Sequence, residues 1–520
     1  MTLAELIAGL DVTVPGGADQ ALMSRRICDV TEDSRTVQPG SLFLARSGTK
    51  VDGRKFIGDA LKQGAAVVLA EGGAEDVAAT NAETRAPGPV PGPVVVTTNM
   101  NRVAAQVAER FYGSPGKKLA LSAVTGTNGK TTTAWIAWQM LNQAGVRTGL
   151  VGTVAVDDGR EVAPAGMTTL PAVEMSRSLA TMVESGCAGC VMETSSHALD
   201  QERVGALDFA VGVFTNLTGD HLDYHKTMER YASAKAKLFE RLKPGSLAVV
   251  NVETEWSARM LRDCAARVLR CSVIDQRSDE RDENAATVRA VEHGLRHTLM
   301  ELRGPWGVMV SRVPLTGRYN LMNVLQAACI AHEMGLSVER MERALATASV
   351  PPGRLQCVSD EADDVTVFVD YAHTDDGLVS VLTALREAMK RDEGGGRLVC
   401  VFGCGGDRDR TKRPRMGKAA SELADVVMLT SDNPRSENPG AIIEEVLTGV
   451  NASRRNVVQV QVDRAAAIQH AVRTSRPGDV VIIAGKGHEE QQVFADGKGG
   501  YRKVHFSDVE TAREALKMRK

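Results

Sequence analysis

The strongest constraint in this chain is a recurring junction, in which a short apolar run gives way at once to a polar, often glycine-rich segment. Residues 119–124 lead into Thr125-Gly126-Thr127-Asn128-Gly129-Lys130-Thr131, Val191-Met192 into Glu193-Thr194-Ser195-Ser196-His197, and residues 211–214 into Thr215-Asn216-Leu217-Thr218-Gly219-Asp220-His221. The arrangement restarts later. Residues 365–369 precede Asp370-Tyr371-Ala372-His373, and 398–402 precede Gly403-Cys404-Gly405-Gly406-Asp407-Arg408. Residues 426–430 precede Ser431-Asp432-Asn433-Pro434-Arg435, and 480–484 precede Gly485-Lys486-Gly487-His488-Glu489. Apolar runs alternating with amphipathic helical stretches indicate an α/β fold with a parallel sheet covered on both faces. Open sheets of this kind bind ligands beyond the carboxyl ends of their strands, so the loops are predicted to converge on two facing surfaces with an active site between domains.

At 520 residues the chain exceeds what one core serves, and two or three domains are expected. The segment Ala86-Pro87-Gly88-Pro89-Val90-Pro91-Gly92-Pro93 can sustain neither a helix nor a central strand, and reads as a surface loop near the end of a first domain. Before it, 41–45 and 65–69 read as short strands flanking a helix over 56–62, with Gly64 as its stop. Lys plus Arg number 62 against 65 Asp plus Glu, a balance of −3, which indicates no pull toward nucleic acid or an acidic membrane. No window approaches the roughly 20 apolar residues of a membrane span. The opening residues lack a basic, then apolar, secretory pattern, so a cytoplasmic location is expected. Nine scattered cysteines suit a reducing compartment, and the lone pair Cys187 and Cys190 reads as ordinary buried thiols.

Gly126-Thr127-Asn128-Gly129-Lys130-Thr131 stands between a strand and a helix predicted over 131–144, ended by Gly145. Amides of such a turn and the helix N-terminus bind phosphate oxygens, Lys130 adds positive charge, and the Thr131 hydroxyl suits Mg²⁺. The full pattern wants glycine where Val124 stands, so this is a shortened variant. Glu193 and His221 are each predicted at the end of a strand, and a carboxylate with a hydroxyl suits one Mg²⁺. Taken alone, His221-Leu222-Asp223-Tyr224-His225 reads as a polar loop, and no paired spacing supports zinc. Lys235 on a helix reads as a solvated lysine. Asp432-Asn433-Pro434-Arg435 is a rigid turn able to hold a zwitterion, or simply a polar turn after a strand.

Together these segments resemble the Mur ligases of peptidoglycan assembly. The likeness runs along the whole chain, through Asp33-Ser34-Arg35, Asp52-Gly53-Arg54, the Thr125–Thr132 loop, Glu193 to His197, Asp220 to His225, Gly317-Arg318-Tyr319-Asn320 with Asn323, Asp370 to Thr374, and the three late loops. It implies three domains: a uridine-nucleotide domain over 1–99, a central P-loop ATPase domain with a parallel sheet over 100–350, and a Rossmann-like amino-acid domain over 351–520. By the same likeness Ser34, Thr168, Thr169, Ser195, Gln201, Arg203 and Lys235 would hold UDP-MurNAc-L-Ala-D-Glu. ATP would lie on Gly126, Thr127, Asn128, Gly129, Lys130, Thr131, Thr132, Asn320, Arg354 and Asp370. Thr131, Glu193, His221 and a carbamate formed on Lys235 would serve Mg²⁺, with Lys130, Glu193, His221 and Lys235 as the catalytic set. Arg408, Asp432, Asn433, Pro434, Arg435, Gly485 and Glu489 would bind meso-diaminopimelate.

The implied reaction is ATP-dependent amide formation through an acyl phosphate, by a monomer. An L-lysine-adding ligase, a folylpolyglutamate-synthetase-like enzyme and a non-catalytic nucleotide switch are the alternatives. The chain departs from the family pattern at Met167-Thr168-Thr169-Leu170-Pro171, where Asn-Thr-Thr-Pro is frequent, and at Asp375, where proline is usual.

Overall fold

The structure, a computed structural model, describes residues 1–519 apart from 16, 18, 48–50, 74–92, 277–281 and 392–394, and the side chain of residue 391. The predicted proline loop therefore lies, except for Pro93, outside the described residues.

The first lobe is a parallel sheet in the order Asp29–Thr31, Ser41–Ala45, Val67–Glu71, Val94–Thr97. The third of these begins two residues later than its apolar run, because Ala65 and Ala66 are spent leaving the helix Ile57–Lys62 after Gly64, whose φ of 98° only glycine adopts freely. Helix Met100–Phe111 buries Met100, Val103, Ala104 and Val107 in the same core as Leu42, Leu44 and Val67.

The middle lobe carries eleven strands with Ala120–Thr125 near the centre, between Gly189–Glu193 and Val211–Phe214. From Thr148–Val151 across to Ala285–His293 the neighbours run parallel. Beyond that, the sheet differs from the all-parallel expectation. Thr298–Gly304 and Gly307–Val313 continue it antiparallel, as do Ala155–Asp157 and Val162–Pro164 at the other edge. Gly307–Val313 alternates buried and exposed side chains, the mark of a strand with one face in solvent, which antiparallel pairing permits.

In the third lobe Thr366–Asp370, Val480–Ala484, Leu398–Phe402, Val426–Leu429 and Val458–Val460 lie side by side and parallel, with the short Gln356–Cys357 antiparallel at the edge. Both large sheets change direction of strand order near the strand that carries a polar loop, the position where α/β sheets open a crevice. One turn spans the seam between these lobes. Leu295 packs on the third lobe's core, and Arg296 donates to Ser359 O at 2.6 Å, Asp360 O at 2.7 Å and Ser359 Oγ at 3.2 Å. No helix among the described residues is long and apolar enough to cross a membrane.

The end of the chain is fixed by a buried ion pair. Arg464 Nε and Nη2 fork onto Asp508 at 2.8 and 2.7 Å, with both side chains at 0% exposure, and Nη2 also reaches Ala484 O at 3.0 Å. Removing one partner leaves an uncompensated charge in the interior. Asp508→Ala is expected to destabilise the third lobe by about 3–5 kcal/mol, read from the denaturant midpoint of its unfolding transition; a change below about 1 kcal/mol would contradict this account.

Candidate active site

Strand Ala120–Thr125 delivers the chain into a tight turn that becomes helix Lys130–Gln143. Gly126 has φ 147°, and a Cβ there would stand 1.9 Å from Thr215 Oγ1, while a Cβ on Gly129, φ 87°, would stand 2.4 Å from Asn323 Oδ1. Neither position accepts a side chain. The neighbouring loop grips the turn: Thr127 N donates to Asn216 O at 2.9 Å, Asn128 N to Asn216 Oδ1 at 2.9 Å, and Thr215 Oγ1 to Asn128 O at 2.5 Å. Lys130 Nζ donates to Gly126 O at 3.0 Å and Thr127 O at 2.8 Å, and desolvation lowers its basicity against the opposing pull of Glu193.

Thr131 and Glu193 meet directly, with Oγ1 donating to Oε2 at 2.9 Å. Glu193 also accepts from Thr153 N at 2.6 Å and Thr153 Oγ1 at 3.1 Å, and with that proton on the carboxylate the Thr153 oxygen is free to accept from Thr168 Oγ1, 3.1 Å away. From there a second chain of bonds runs outward. Thr169 Oγ1 donates to Glu193 O at 2.9 Å and accepts from Ser195 N at 3.0 Å, and Arg203 Nη1 donates to Thr169 O at 3.0 Å while its fork holds Gln201 Oε1. The structure thus gathers Thr168, Thr169, Ser195, Gln201 and Arg203 around one strand end. Ser34, on the short turn Ser34–Thr36 of the first lobe, makes none of these bonds. Its neighbour Glu32, whose carboxyl burial raises, senses the charges of Arg46 and Arg203, so the first lobe faces this cluster.

Two expectations are corrected by position. His221 does not end a strand: Val211–Phe214 stops seven residues earlier, and His221 caps helix Leu222–His225 with φ 54°. Its ring lies edge-on to His197 at 4.9 Å, and burial lowers its pKa. Lys235 is not solvated. It is 1% exposed, its Nζ donates to Gly126 O at 2.6 Å, and it lies 4.5 Å from the Tyr231 ring. Burial first, and the Lys130 charge second, hold its amine well below the ordinary lysine range.

The ATP-site residues expected from across the lobe boundary also converge. Asn320 Oδ1 accepts from Asn323 Nδ2 at 2.9 Å, tying it to the residue that closes over Gly129. Asp370 accepts from Leu355 N at 2.6 Å and Ala372 N at 2.7 Å; burial raises its pKa, with the Arg354 guanidinium opposing. Arg354 stacks 4.3 Å from the Tyr371 ring and its charge is felt at Lys130.

In the third lobe Arg435 adopts φ 53°, and Nη1 donates to Gly406 O at 2.7 Å. Gly406 must be glycine, since a Cβ would lie 2.0 Å from Pro434 O. The hairpin Gln491–Ala495 with Tyr501–His505 braces this turn: Arg435 N donates to Val493 O at 3.0 Å, and Gln492 Nε2 to Asp432 O at 2.6 Å. Asn433 Nδ2 donates to Glu489 Oε2 at 2.9 Å, and a Cβ on Gly485 would stand 2.8 Å from Asp432 Oδ2, so the Asp432–Arg435 and Gly485–Glu489 loops form one wall. Arg408 is exposed at its edge. Sequence reasoning missed Thr153, Asn216 and Lys486. Asn216 and Lys486, each inside a loop already singled out, carried a signal, and Thr153 carried none.

A phosphate-binding turn at a central strand end, faced by a second α/β lobe with its own polar pocket, defines a multi-lobed P-loop protein. The comparisons narrow the class. The Mur ligase family catalytic domain matches residues 26–112, the Mur ligase middle domain 124–331, and the Mur ligase glutamate ligase domain 353–487. The chain is 42% identical to the UDP-N-acetylmuramoyl-L-alanyl-D-glutamate–2,6-diaminopimelate ligase of Gloeobacter violaceus and 40% identical to that of Synechococcus elongatus. Those alignments cover 100% and 99% of this chain and 99% of each relative. A solved structure of a ligase of that name superposes with a TM-score of 0.66 at 29% identity, over 100% of this chain and 99% of the other. The Mycobacterium tuberculosis folylpolyglutamate synthase shares the fold over 74% of this chain and 92% of its own, with a TM-score of 0.57 at 19% identity. This chain belongs to the Mur ligase family.

His225 sits under this site with Nε2 2.9 Å from Ser196 Oγ, and burial drops its pKa from 6.5 to about 4. The folded protein keeps this imidazole neutral where the unfolded chain binds a proton, so stability falls as pH drops from 6.5 toward 4. His225→Gln is expected to flatten that part of a melting temperature against pH curve, and an unchanged slope would contradict the assignment.

Proposed function

We propose that this protein joins meso-2,6-diaminopimelate to the γ-carboxylate of D-Glu in UDP-MurNAc-L-Ala-D-Glu, using ATP, in cytoplasmic peptidoglycan precursor synthesis. The observation that carries the reading is Arg435. It is a guanidinium set on a left-handed turn, hydrogen-bonded to a backbone carbonyl and in no ion pair among the described residues, two residues after Asn433, which holds Glu489. Diaminopimelate has a second carboxylate at its far end for that fork to grip, whereas L-lysine ends in an ammonium that the fork would repel. The names of the full-length relatives support the same amino acid.

The residues suggest how the reaction proceeds. A carboxylate resists amines because its leaving group would be an oxide, so a carboxylate oxygen first attacks the γ-phosphorus and ADP leaves. The amine then attacks the acyl carbon, phosphate departs and the amine loses a proton. Amides of the 126–130 turn and the Lys130 ammonium would neutralise the transferred group, and Asn320, Arg354 and Asp370 would complete the ATP site from the far side. Thr168, Thr169, Ser195, Gln201 and Arg203 would hold the dipeptide, with Ser34 at the uridine end in the first lobe. Domain closure would bring the amine held at Arg408, Asp432, Asn433, Pro434, Arg435, Gly485 and Glu489 to the acyl group, a proximity gain of several kcal/mol.

The oxygen pair Thr131 and Glu193, 2.9 Å apart, suits Mg²⁺, which when bound would offset phosphate charge; His221, edge-on to His197, would serve the metal from the neighbouring loop. A buried, weakly basic Lys235 amine with a carbonyl as its hydrogen-bond partner suits addition of CO₂, giving a carbamate as a further anionic oxygen ligand.

Phosphate release with each candidate amino acid tests the reading: it is expected with meso-diaminopimelate and not with L-lysine, and release independent of any amino acid would favour a nucleotide switch. Arg435→Ala is expected to raise the diaminopimelate KM about 100-fold, the worth of a charged fork at roughly 1.4 kcal/mol per decade, with little change in the KM for ATP. Equal changes in both would refute it. In ¹³C-bicarbonate, a carbamate resonance is expected that Lys235→Ala removes, together with activity that short carboxylic acids restore; its absence at full activity would exclude the carbamate.

A further inference from the structure

We propose that Lys486 is a positioning residue of the amino-acid pocket, holding Asn433 and Glu489 in the orientation that receives the substrate's ammonium group. This rests on the functional reading above and extends it to a residue that the pocket covers completely. Lys486 is 0% exposed, in the turn that follows strand Val480–Ala484. Burying an ammonium costs several kcal/mol unless its protons are used. Among the described residues its hydrogen bonds go to two pocket side chains, Asn433 Oδ1 and Glu489 Oε2, each at 3.0 Å.

These bonds fix which way both groups face. Asn433 Oδ1 accepts a second bond from Val493 N at 3.0 Å, which leaves its amide nitrogen on the other side, donating to Glu489 Oε2 at 2.9 Å. Lysine, amide and carboxylate thus close a ring. Two donors fall on the same carboxylate oxygen, so Oε1 is the oxygen left for a ligand, on a side chain that is 36% exposed. Behind them the buried Arg464 guanidinium also feels Asp432 and Glu489, so two buried cations back the two carboxylates of the wall. An ammonium reaching Glu489 would meet a carboxylate already oriented, with little side-chain freedom left to lose.

A double-mutant cycle in the full-length protein tests this, with Lys486→Met, Glu489→Gln and the pair assayed for KM and kcat with ATP, UDP-MurNAc-L-Ala-D-Glu and meso-diaminopimelate. Lys486→Met is expected to raise the diaminopimelate KM roughly 30-fold with the ATP KM within about 3-fold, and to add less than about 3-fold in the Glu489→Gln background. Effects that multiply in full, or equal rises in both KM values, would show a merely structural lysine and overturn the proposal. If Lys486→Met fails to fold, Lys486→Gln, an uncharged donor one atom shorter, enters the same cycle with the same criteria. Wild-type protein without diaminopimelate-dependent turnover would overturn the functional reading and this role with it, whereas wild-type turnover with independent variants overturns the role alone.

Discussion

Gly126 O accepts hydrogen bonds from two lysine amines at once, Lys130 at 3.0 Å and Lys235 at 2.6 Å. Two ammonium groups converging on one carbonyl in a partly desolvated crevice repel, and burial first, with the Lys130 charge second, lowers the basicity of Lys235. That division of labour follows from backbone geometry. Gly126 can point its carbonyl at both amines because it has no Cβ to strike Thr215. The loop after Val211–Phe214 then clamps the turn through Thr215 and Asn216, so the strand next door determines where both amines rest.

The same economy appears in the third lobe, where glycines allow side chains from separate strand ends to touch. Gly406 admits Pro434, and Gly485 lies against Asp432. Cations at the floor, Arg464 and Lys486, satisfy carbonyls and carboxylates that would otherwise be stranded. The pocket wall is therefore a rigid surface built from three loops and a hairpin.

Much of this was legible in the sequence because the signals are local. An apolar run followed by a Gly-rich turn and a helix is read within a dozen residues, and the central strands, the 126–130 turn and the Asp-Asn-Pro-Arg loop lie within a residue or two of where that pattern puts them. What is not local was harder to read. Lys235 looks like any surface lysine on its own helix, and only the packing of Met228–Glu240 beneath the phosphate turn buries it. His221 was placed at a strand end because its loop follows an apolar run, whereas the chain travels seven further residues, held to the phosphate turn by Asn216 and Thr218, before reaching it. The antiparallel edges of the middle sheet carry a different pattern from the continuous apolar runs of its centre: Gly307–Val313 alternates buried and exposed side chains. Thr153 has no motif at all; its role is conferred by Gly152, which lets the backbone approach Glu193.

The turn bearing Leu295 and Arg296 grips the third lobe mainly by main-chain carbonyls, at Ser359 and Asp360. A carbonyl oxygen is the same whatever residue supplies it. Substitutions among the side chains of the proposed amino-acid pocket would therefore leave this fastening largely untouched, so that pocket can be recut without rebuilding the mount of its lobe on the middle one.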